Sequence, residues 1–191
     1  MKNNKPDFLT GQLLLSMPSL EDDRFNKAVI LVCAHDDKGA MGLVLNHKMD
    51  NVTFSDLLSQ LDIQTNISQN VPELKVMKGG PVEQARGFLL HPKGLEENDT
   101  IEVSDNYLVS GSVDVLKKLM TNDTPDKIIF LLGYSGWGPG QLDSEIQSNA
   151  WLTIDPDPEL VYKTKPEEMW DKAIRKIGID PSMLSANAGR A

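Results

Sequence analysis

The chain has 191 residues, of which 40% are hydrophobic and 25% are charged, so it can bury a core without disulfides or metals and is predicted to form one domain over residues 1–191. Its 28 acidic and 19 basic residues leave a formal net charge of -9, which counts against direct nucleic-acid binding because such binding rests on a basic face. The single cysteine, Cys33, excludes an internal disulfide framework and a multi-cysteine zinc site.

The first predicted element is a short buried strand at residues 9–17. Lys2 and Lys5 precede it as they would in a secretion signal, but polar residues and Pro18 interrupt the apolar stretch on both sides. No apolar run approaches the roughly 18 residues that a membrane span requires. These features, with the lone cysteine, predict a cytoplasmic protein without membrane contact.

A hairpin and a helix are predicted next. Strands at 28–34 and 40–45 flank a turn at 36–39. A capping box between Thr53 and Asp56 then begins a helix. The apolar face of that helix carries Phe54, Leu57, Leu58 and Leu61.

The middle of the chain is predicted to consist mainly of strands. They lie at 74–77, 87–91, 100–103 and 107–109, separated by Gly, Pro and Asn or Asp turns. Ser112 is predicted to cap a helix, and the strongest strand follows at 128–132.

The last third is predicted to begin with a glycine-rich turn at 133–141. Pro139 is predicted to be the first residue of a helix that reaches about Ala150, and a strand follows at 151–154. A capping box between Thr164 and Glu167 predicts the final helix, which Gly178 ends. Consecutive strands mixed with helices favour an α+β fold, with a bent or partly closed sheet surrounded by helices.

The glycine-rich segment fits neither of two known catalytic templates. Pro139 stands where a phosphate-binding loop needs its lysine, and Trp137 stands where a nucleophile elbow needs its last glycine. The three histidines all precede Ser135, which is not the order of an elbow hydrolase. The segment is either a structural turn or a recognition surface in which the glycines let backbone approach backbone or ligand.

A second constrained turn, 78–81, is predicted to face the glycine-rich segment, and it too has a purely structural alternative. Together the two segments give a predicted polar pocket. The residues predicted to bind its ligand are Asn46, Gly79, Gly80, Arg86, Tyr134, Ser135, Gly136, Trp137 and Gln141.

Cys33 and His35 alternate along a strand and are predicted to share one of its faces. A metal site there would add His91 and could also include Asp36, but a lone strand cysteine is typical of a small buried hydrophobe. We therefore predict no metal and no cofactor. Asp143 and Glu145 are predicted to brace or solvate their helix rather than to catalyse.

Several blocks in order along nearly the whole chain carry a family resemblance. They are Gly11-Gln12-Leu13-Leu14 leading to Met17-Pro18, residues 39–46, Gly79-Gly80-Pro81-Val82, residues 87–92, residues 133–137, Gly140-Gln141-Leu142 and Asn149-Ala150-Trp151-Leu152. In these blocks the chain resembles the bacterial YqgE/AlgH family. The resemblance implies a single α+β domain with a bifurcated, partly barrel-like sheet surrounded by helices, and a cytosolic bacterial protein. Some members carry the label of transcriptional regulator, but the resemblance brings no DNA-binding motif and no catalytic residue.

Besides direct regulation of DNA, which predicts steeply salt-dependent binding, two classes of function remain open. The first is a non-catalytic binding or regulatory protein that recognises a small molecule or a protein, with Trp137 on the recognition surface. The alternative is a hydrolase or transferase with an unorthodox site that uses Ser135 or Cys33 with His35 or His91. Residues 95–162 hold 13 acidic and 3 basic residues, so the glycine-rich segment within them is expected to favour a neutral or cationic partner.

Overall fold

A computed structural model describes residues 8–60, 74–121 and 127–184, and these form one α+β domain. Its nine strands are β1 (Leu13–Ser16), β2 (Val29–Asp36), β3 (Gly39–Val44), β4 (Val76–Lys78), β5 (Val82–His91), β6 (Ile101–Ser104), β7 (Tyr107–Ser110), β8 (Ile129–Trp137) and β9 (Trp151–Ile154). The α-helices of the described residues are α1 (Phe54–Gln60), α2 (Val113–Thr121), α3 (Gln141–Gln147) and α4 (Pro166–Lys176). Short 3₁₀ turns lie at Asp23–Phe25 and Pro181–Met183, and a π-helical turn, which the sequence did not predict, lies at Glu159–Lys163.

All nine strands join one sheet in the order β6-β7-β5-β8-β3-β2-β1-β9, with β4 added beside β8. The pairs are antiparallel except for β4 with β8, which is parallel. The end strands of this order do not pair with each other, so the expectation of a partly closed barrel is wrong: the sheet stays open.

Strand β8 is the point at which the sheet divides. One of its edges pairs with β5, while the other pairs first with β4, at residues 130–132, and then with β3, at residues 135–137. Strands β3 and β4 therefore share a single edge of β8, and the chain that follows β3 runs back along β4, where Lys48 pairs with Met77 in antiparallel register. We call the cavity at this junction, lined among others by Asn46, His47, Lys78 and Leu132, the fork cleft.

Three apolar clusters hold the described part of the domain together. Helix α4 packs with Met169, Trp170 and Ile174 against one face of β1 to β3, and α3 covers the opposite face with Leu142. The third cluster places α1 and α2 over β5 and β8, around Phe54 and Phe130. Helices thus cover the apolar faces of the sheet, as the α+β interpretation requires.

Two of the predicted helix ends are confirmed by the structure. The capping box of α1 is confirmed: Asp56 N–H donates to Thr53 Oγ1 at 3.1 Å and Thr53 N–H donates to Asp56 Oδ2 at 2.9 Å. The stop of α4 is also confirmed, because Gly178 adopts a φ of 78° and its N–H donates to the Arg175 carbonyl. Leu61, predicted on the α1 face, lies outside the described residues.

The predicted starts of three other helices need correction. Helix α4 begins at Pro166 after an extended Lys165, as the residue before a proline prefers, so Thr164 forms no capping box with Glu167. Helix α3 begins at Gln141 rather than at Pro139, because Gly140 is left-handed. Helix α2 does follow Ser112, but the buried Ser112 hydroxyl has no hydrogen-bond partner among the described residues, so it does not cap the helix.

Candidate functional site

The predicted glycine-rich turn is largely a strand. Residues 133–137 continue β8, so the part outside a regular element shrinks to 138–140. A sequence pattern rich in glycine indicates a turn, but here Gly42 and Tyr134, among others, take part in the pairing of β8 with β3 and β5 that extends the strand. Tyr134, Ser135, Gly136 and Trp137 are therefore held in the sheet.

The two glycine segments do face each other, as predicted. A Cβ on Gly80 would lie 2.1 Å from the Tyr134 carbonyl carbon, and one on Gly79 would lie 2.2 Å from the Gly133 carbonyl oxygen. Opposite Gly133, four residues of β5 from Glu83 to Arg86 bulge out. The glycines here serve close backbone packing rather than an open loop.

Trp137 lies on the α3 side, where a carboxylate binds two indoles. Glu145 Oε2 accepts hydrogen bonds from Trp137 Nε1 at 2.9 Å and from Trp151 Nε1 at 2.7 Å, and Gln141 Nε2 donates to Glu145 Oε1 at 2.8 Å. Gln141 Oε1 in turn accepts from the Gly138 N–H at 3.0 Å. Glu145 thus braces its helix against the sheet, and the indole N–H of Trp137 is already committed.

Cys33 and His35 do not share a face, contrary to the prediction from simple alternation. The β2–β3 register shifts between Val32 and Ala34, so Cys33 is an extra residue that turns into the α4 side of the sheet. His35 turns to the α3 side, where its Nε2 lies 3.4 Å from Asp143 Oδ2 and its Nδ1 accepts the Leu9 N–H at 3.1 Å. The bulge therefore separates the two groups that the metal hypothesis joined.

Ser135 is buried, and its hydroxyl makes no hydrogen bond within the described part of the chain. Neither His35 nor His91 bonds to it or to Cys33. His91 instead accepts from Ser110 at 2.9 Å through Nε2, because its Nδ1–H is donated to the Pro92 carbonyl at 2.8 Å. No nucleophile and base of the predicted hydrolase alternative are in contact.

Cys33 provides a direct test of thiol chemistry. Burial raises the pKa of its thiol to about 12, which leaves on the order of one thiolate in ten thousand near pH 8. We expect no reaction of the native protein with a disulfide reagent such as DTNB, and complete reaction once guanidinium unfolds the chain. Rapid labelling of the native protein would contradict the buried placement.

The buried His91 predicts a pH dependence. Desolvation lowers the pKa of His91 below its usual 6.5, although its bond to the Pro92 carbonyl and the nearby Glu96 charge act in the opposite direction. Because the folded pKa is the lower one, its contribution to stability is fully present above about pH 6.5 and is lost as the pH falls through the folded pKa. An NMR titration of the His91 ring proton should give a midpoint below that of the urea-unfolded chain. A midpoint equal to or above the unfolded one would contradict this.

Asn46 and Arg86 are placed by their own contacts. Asn46 Oδ1 accepts the Val29 N–H and its Nδ2 donates to the Lys27 carbonyl, both at 2.8 Å, so its amide ties the end of β3 to β2. Arg86 lies on the bulge of β5, paired with Glu83 at 3.0 Å and placed over the Phe88 ring. Of the predicted ligand contacts, only Asn46 and Gly80 line the fork cleft.

The fork cleft has a volume of about 870 Å³, within the usual range for small-molecule sites. Five parts of the chain line it: Asp23 and Arg24; Val44 with residues 46–49; Lys78, Gly80, Pro81 and Gln84; Leu132; and Pro166 with Glu167. Val44, Met49 and Leu132 give it an apolar wall, and His47, Lys48 and Lys78 bring polar groups to it.

The sequence pattern predicts ligand contacts for the glycines of the 78–81 turn but not for Lys78. It likewise predicts a contact for Asn46 but not for His47. A signal was present, because Lys78 and His47 adjoin the two strand ends already chosen, and side chains at strand ends commonly contact ligands. The pairing that brings them together is long-range and is not visible in either segment alone.

The described residues hold neither a metal-binding cluster nor a membrane-spanning helix. Within 8–60, 74–121 and 127–184, no three His, Cys, Asp or Glu side chains are grouped so as to hold a metal ion. In the same ranges no helix has the length and apolar character needed to cross a membrane.

Comparison with known proteins finds one family that matches nearly the whole chain. A family model described as AlgH-like (DUF179) matches residues 13–182. The UPF0301 protein of Nitrobacter hamburgensis is 47% identical over 190 residues, covering 96% of this chain and 88% of the relative, and that of Rhodopseudomonas palustris is 44% identical over 191 residues, covering 97% and 88%.

Two solved structures are similar in fold. The solution structure of the AlgH protein from Pseudomonas aeruginosa aligns with a TM-score of 0.76 at 36% identity and covers all of both chains. The crystal structure of protein DIP2367 from Corynebacterium diphtheriae aligns with a TM-score of 0.66 at 22% identity, covering 96% of this chain and 92% of that one, and is similar in fold alone.

Proposed function

The chain belongs to the AlgH-like family, and from this premise we propose that it is a non-catalytic binding protein whose small-molecule ligand occupies the fork cleft. The observation that carries the proposal is the cleft itself: about 870 Å³ at the junction of β3, β4 and β8, with an apolar wall and a few convergent polar groups. A cleft of that composition is typical of ligand sites, whereas Ser135 and Cys33, the two nucleophiles of the hydrolase alternative, are buried and form no hydrogen bond with His35 or His91.

Of the residues predicted to bind the ligand, some would contact it and others support the surrounding structure. Asn46 and Gly80 would face the ligand, because they line the cleft. Gly79 supports the cleft from behind, since its N–H donates to the Leu132 carbonyl at 2.7 Å and its carbonyl accepts the Val44 N–H at 2.8 Å. Trp137 and Gln141 brace α3 through Glu145.

The test is a screen for saturable binding with a variant that fills the cleft. Native mass spectrometry of protein purified from its source, followed by thermal-shift measurements with a metabolite library, should give a ligand that raises Tm. Gln84→Trp should abolish that shift, because Gln84 is exposed and lines the cleft.

The matched control is Ala85→Trp. Ala85 is the next residue of β5 and is also exposed, but it lines a smaller cavity of about 140 Å³ near α2 rather than the fork cleft. Binding should survive this substitution. Loss of binding in Ala85→Trp and not in Gln84→Trp would move the site to that cavity and overturn the proposal.

A further inference from the structure

His47 and Lys78 face each other across a pair of extended segments. The Lys78 N–H donates to the His47 carbonyl at 2.7 Å, and the neighbouring Lys48 bridges to Met77 in antiparallel register. Residues directly opposite each other in an antiparallel pair place their side chains on the same face. Both side chains therefore lie at the fork cleft, which they line.

The other cations of the cleft are already neutralised. Arg24 forms a two-pronged pair with Asp22 at 2.7 Å, and Lys48 pairs with Glu167 at 3.0 Å. The Lys78 ammonium has no ion pair within the described residues, and it is exposed. The cleft therefore presents Lys78 as its uncommitted positive charge, with Asp23 as the remaining carboxylate among its lining residues.

One nitrogen of His47 is also left for a ligand. Nε2 lies 2.9 Å from the Asn26 carbonyl oxygen, which can only accept, so Nε2 carries the proton and Nδ1 keeps a free lone pair. Burial is the main reason that the pKa of His47 is lowered, and the Lys78 charge lowers it further, against the effect of the Asn26 carbonyl. A negative charge beside the ring would oppose both effects and favour a second proton on Nδ1.

Building on the proposed function, we propose that the ligand of the fork cleft carries a phosphate or carboxylate group, which the Lys78 ammonium and the protonated His47 Nδ1 bind together. The uncharged body of the ligand lies against Val44, Met49 and Leu132. Although the chain is acidic overall, its acidic stretch, residues 95–162, contributes only Leu132 to this cleft. The preference for a neutral or cationic partner expected for the glycine-rich segment therefore does not extend to the cleft.

Anion binding should be linked to proton uptake by His47. Five other charged groups line the same cleft: Lys78, Lys48, Arg24, Asp23 and Glu167. Protonating His47 adds a donor for the anion, so affinity should rise as the pH falls from about 8 to about 6.

The experiment follows the His47 ring and the cleft amides by NMR, with sulfate as the probe for a phosphate group and butyrate as the probe for a carboxylate. Both probes keep a constant charge over this pH range, so a change in affinity reports on the protein. We expect saturable shifts of the Lys78 and Gly80 amides, a rise in the His47 titration midpoint, and tighter binding at the lower pH. The probe that binds more tightly identifies the group.

Two variants and a control decide the outcome. Lys78→Gln should weaken binding about tenfold, which corresponds to about 1.4 kcal/mol, whereas Lys75→Gln, an exposed lysine on the approach to β4 that does not line the cleft, should leave it unchanged. His47→Gln should abolish the pH dependence. Equal binding in Lys78→Gln and Lys75→Gln, or no binding of either probe, would overturn the inference. A library ligand that Gln84→Trp blocks but Lys78→Gln does not affect would leave the proposed function standing and remove only the anionic group.

Discussion

Replacing Gly133 with alanine should lower the free energy of unfolding by at least about 3 kcal/mol, because two independent costs combine at this position. Gly133 has a φ of 73°, a left-handed conformation that costs a residue with a side chain roughly 1–2 kcal/mol. A Cβ there would also lie 2.5 Å from the Gly80 carbonyl oxygen and 2.9 Å from that of Val82, so β8 or the 78–82 segment must move. Urea unfolding followed by circular dichroism measures the loss.

Gly136→Ala is the matched control on the same strand. Its Cβ would meet nothing nearer than 3.5 Å and its φ is not positive. The substitution also reduces the freedom of the unfolded chain, so we expect stability within about 1 kcal/mol of the parent protein. Equal losses of stability in the two variants would show that the close backbone contacts of Gly133 are not the reason that alanine destabilises the protein at this position.

Glu145→Ala is the second substitution with a large expected effect, a loss of about 2–3 kcal/mol. One carboxylate oxygen accepts both the Trp137 and the Trp151 indole N–H, and both rings are buried. Removing the carboxylate leaves two donors without their charged acceptor, and each unpaired buried donor costs about 1–3 kcal/mol. Because Glu145 is only half-buried, water can enter and restore part of the loss.

Two further substitutions test the explanation for Glu145. Glu145→Gln keeps an acceptor oxygen but loses the charge and turns an amide nitrogen toward that of Gln141, so its loss should be intermediate. Glu168→Ala removes a partly exposed carboxylate that pairs with Lys172 on α4, and it should cost no more than about 0.5 kcal/mol. A Glu145→Ala protein as stable as Glu168→Ala would mean that the indoles find other acceptors.

The strands and the faces of the helices could be predicted where a single segment carries the signal. The apolar runs of β1 to β3, the Thr53 cap and the Gly178 stop each depend on neighbours within a few residues, and each is present. The extension of β8 could not be predicted in this way, because glycine and serine favour turns locally and only pairing with β3 and Val82 makes that stretch a strand. The side of the sheet on which His35 lies could not be predicted either, because the bulge at Cys33 depends on how β2 pairs with β3.

Only part of the candidate site could be predicted from the sequence. The sequence identified two strand ends, at Asn46 and at Gly79–Gly80, that meet at the fork cleft. It could not show that the side chains of His47 and Lys78 point into that cleft, since their register depends on residues about 30 apart pairing correctly. It also could not bring in Arg24 or Glu167, which come from distant parts of the chain.

The position of β8 also sets the order in which the chain can fold during its synthesis. β3, β4 and β5 all pair with β8, yet they are made well before it, so none of them has this partner until residues 129–137 have left the ribosome. At about 5–20 residues per second, the chain from residue 39 to residue 137 takes on the order of 5–20 seconds to translate. During that interval the edges of the early strands are open to pairing with other chains. A nascent chain stalled before β8 should therefore be sensitive to protease and bound by chaperones, and it should become resistant only after β8 has emerged.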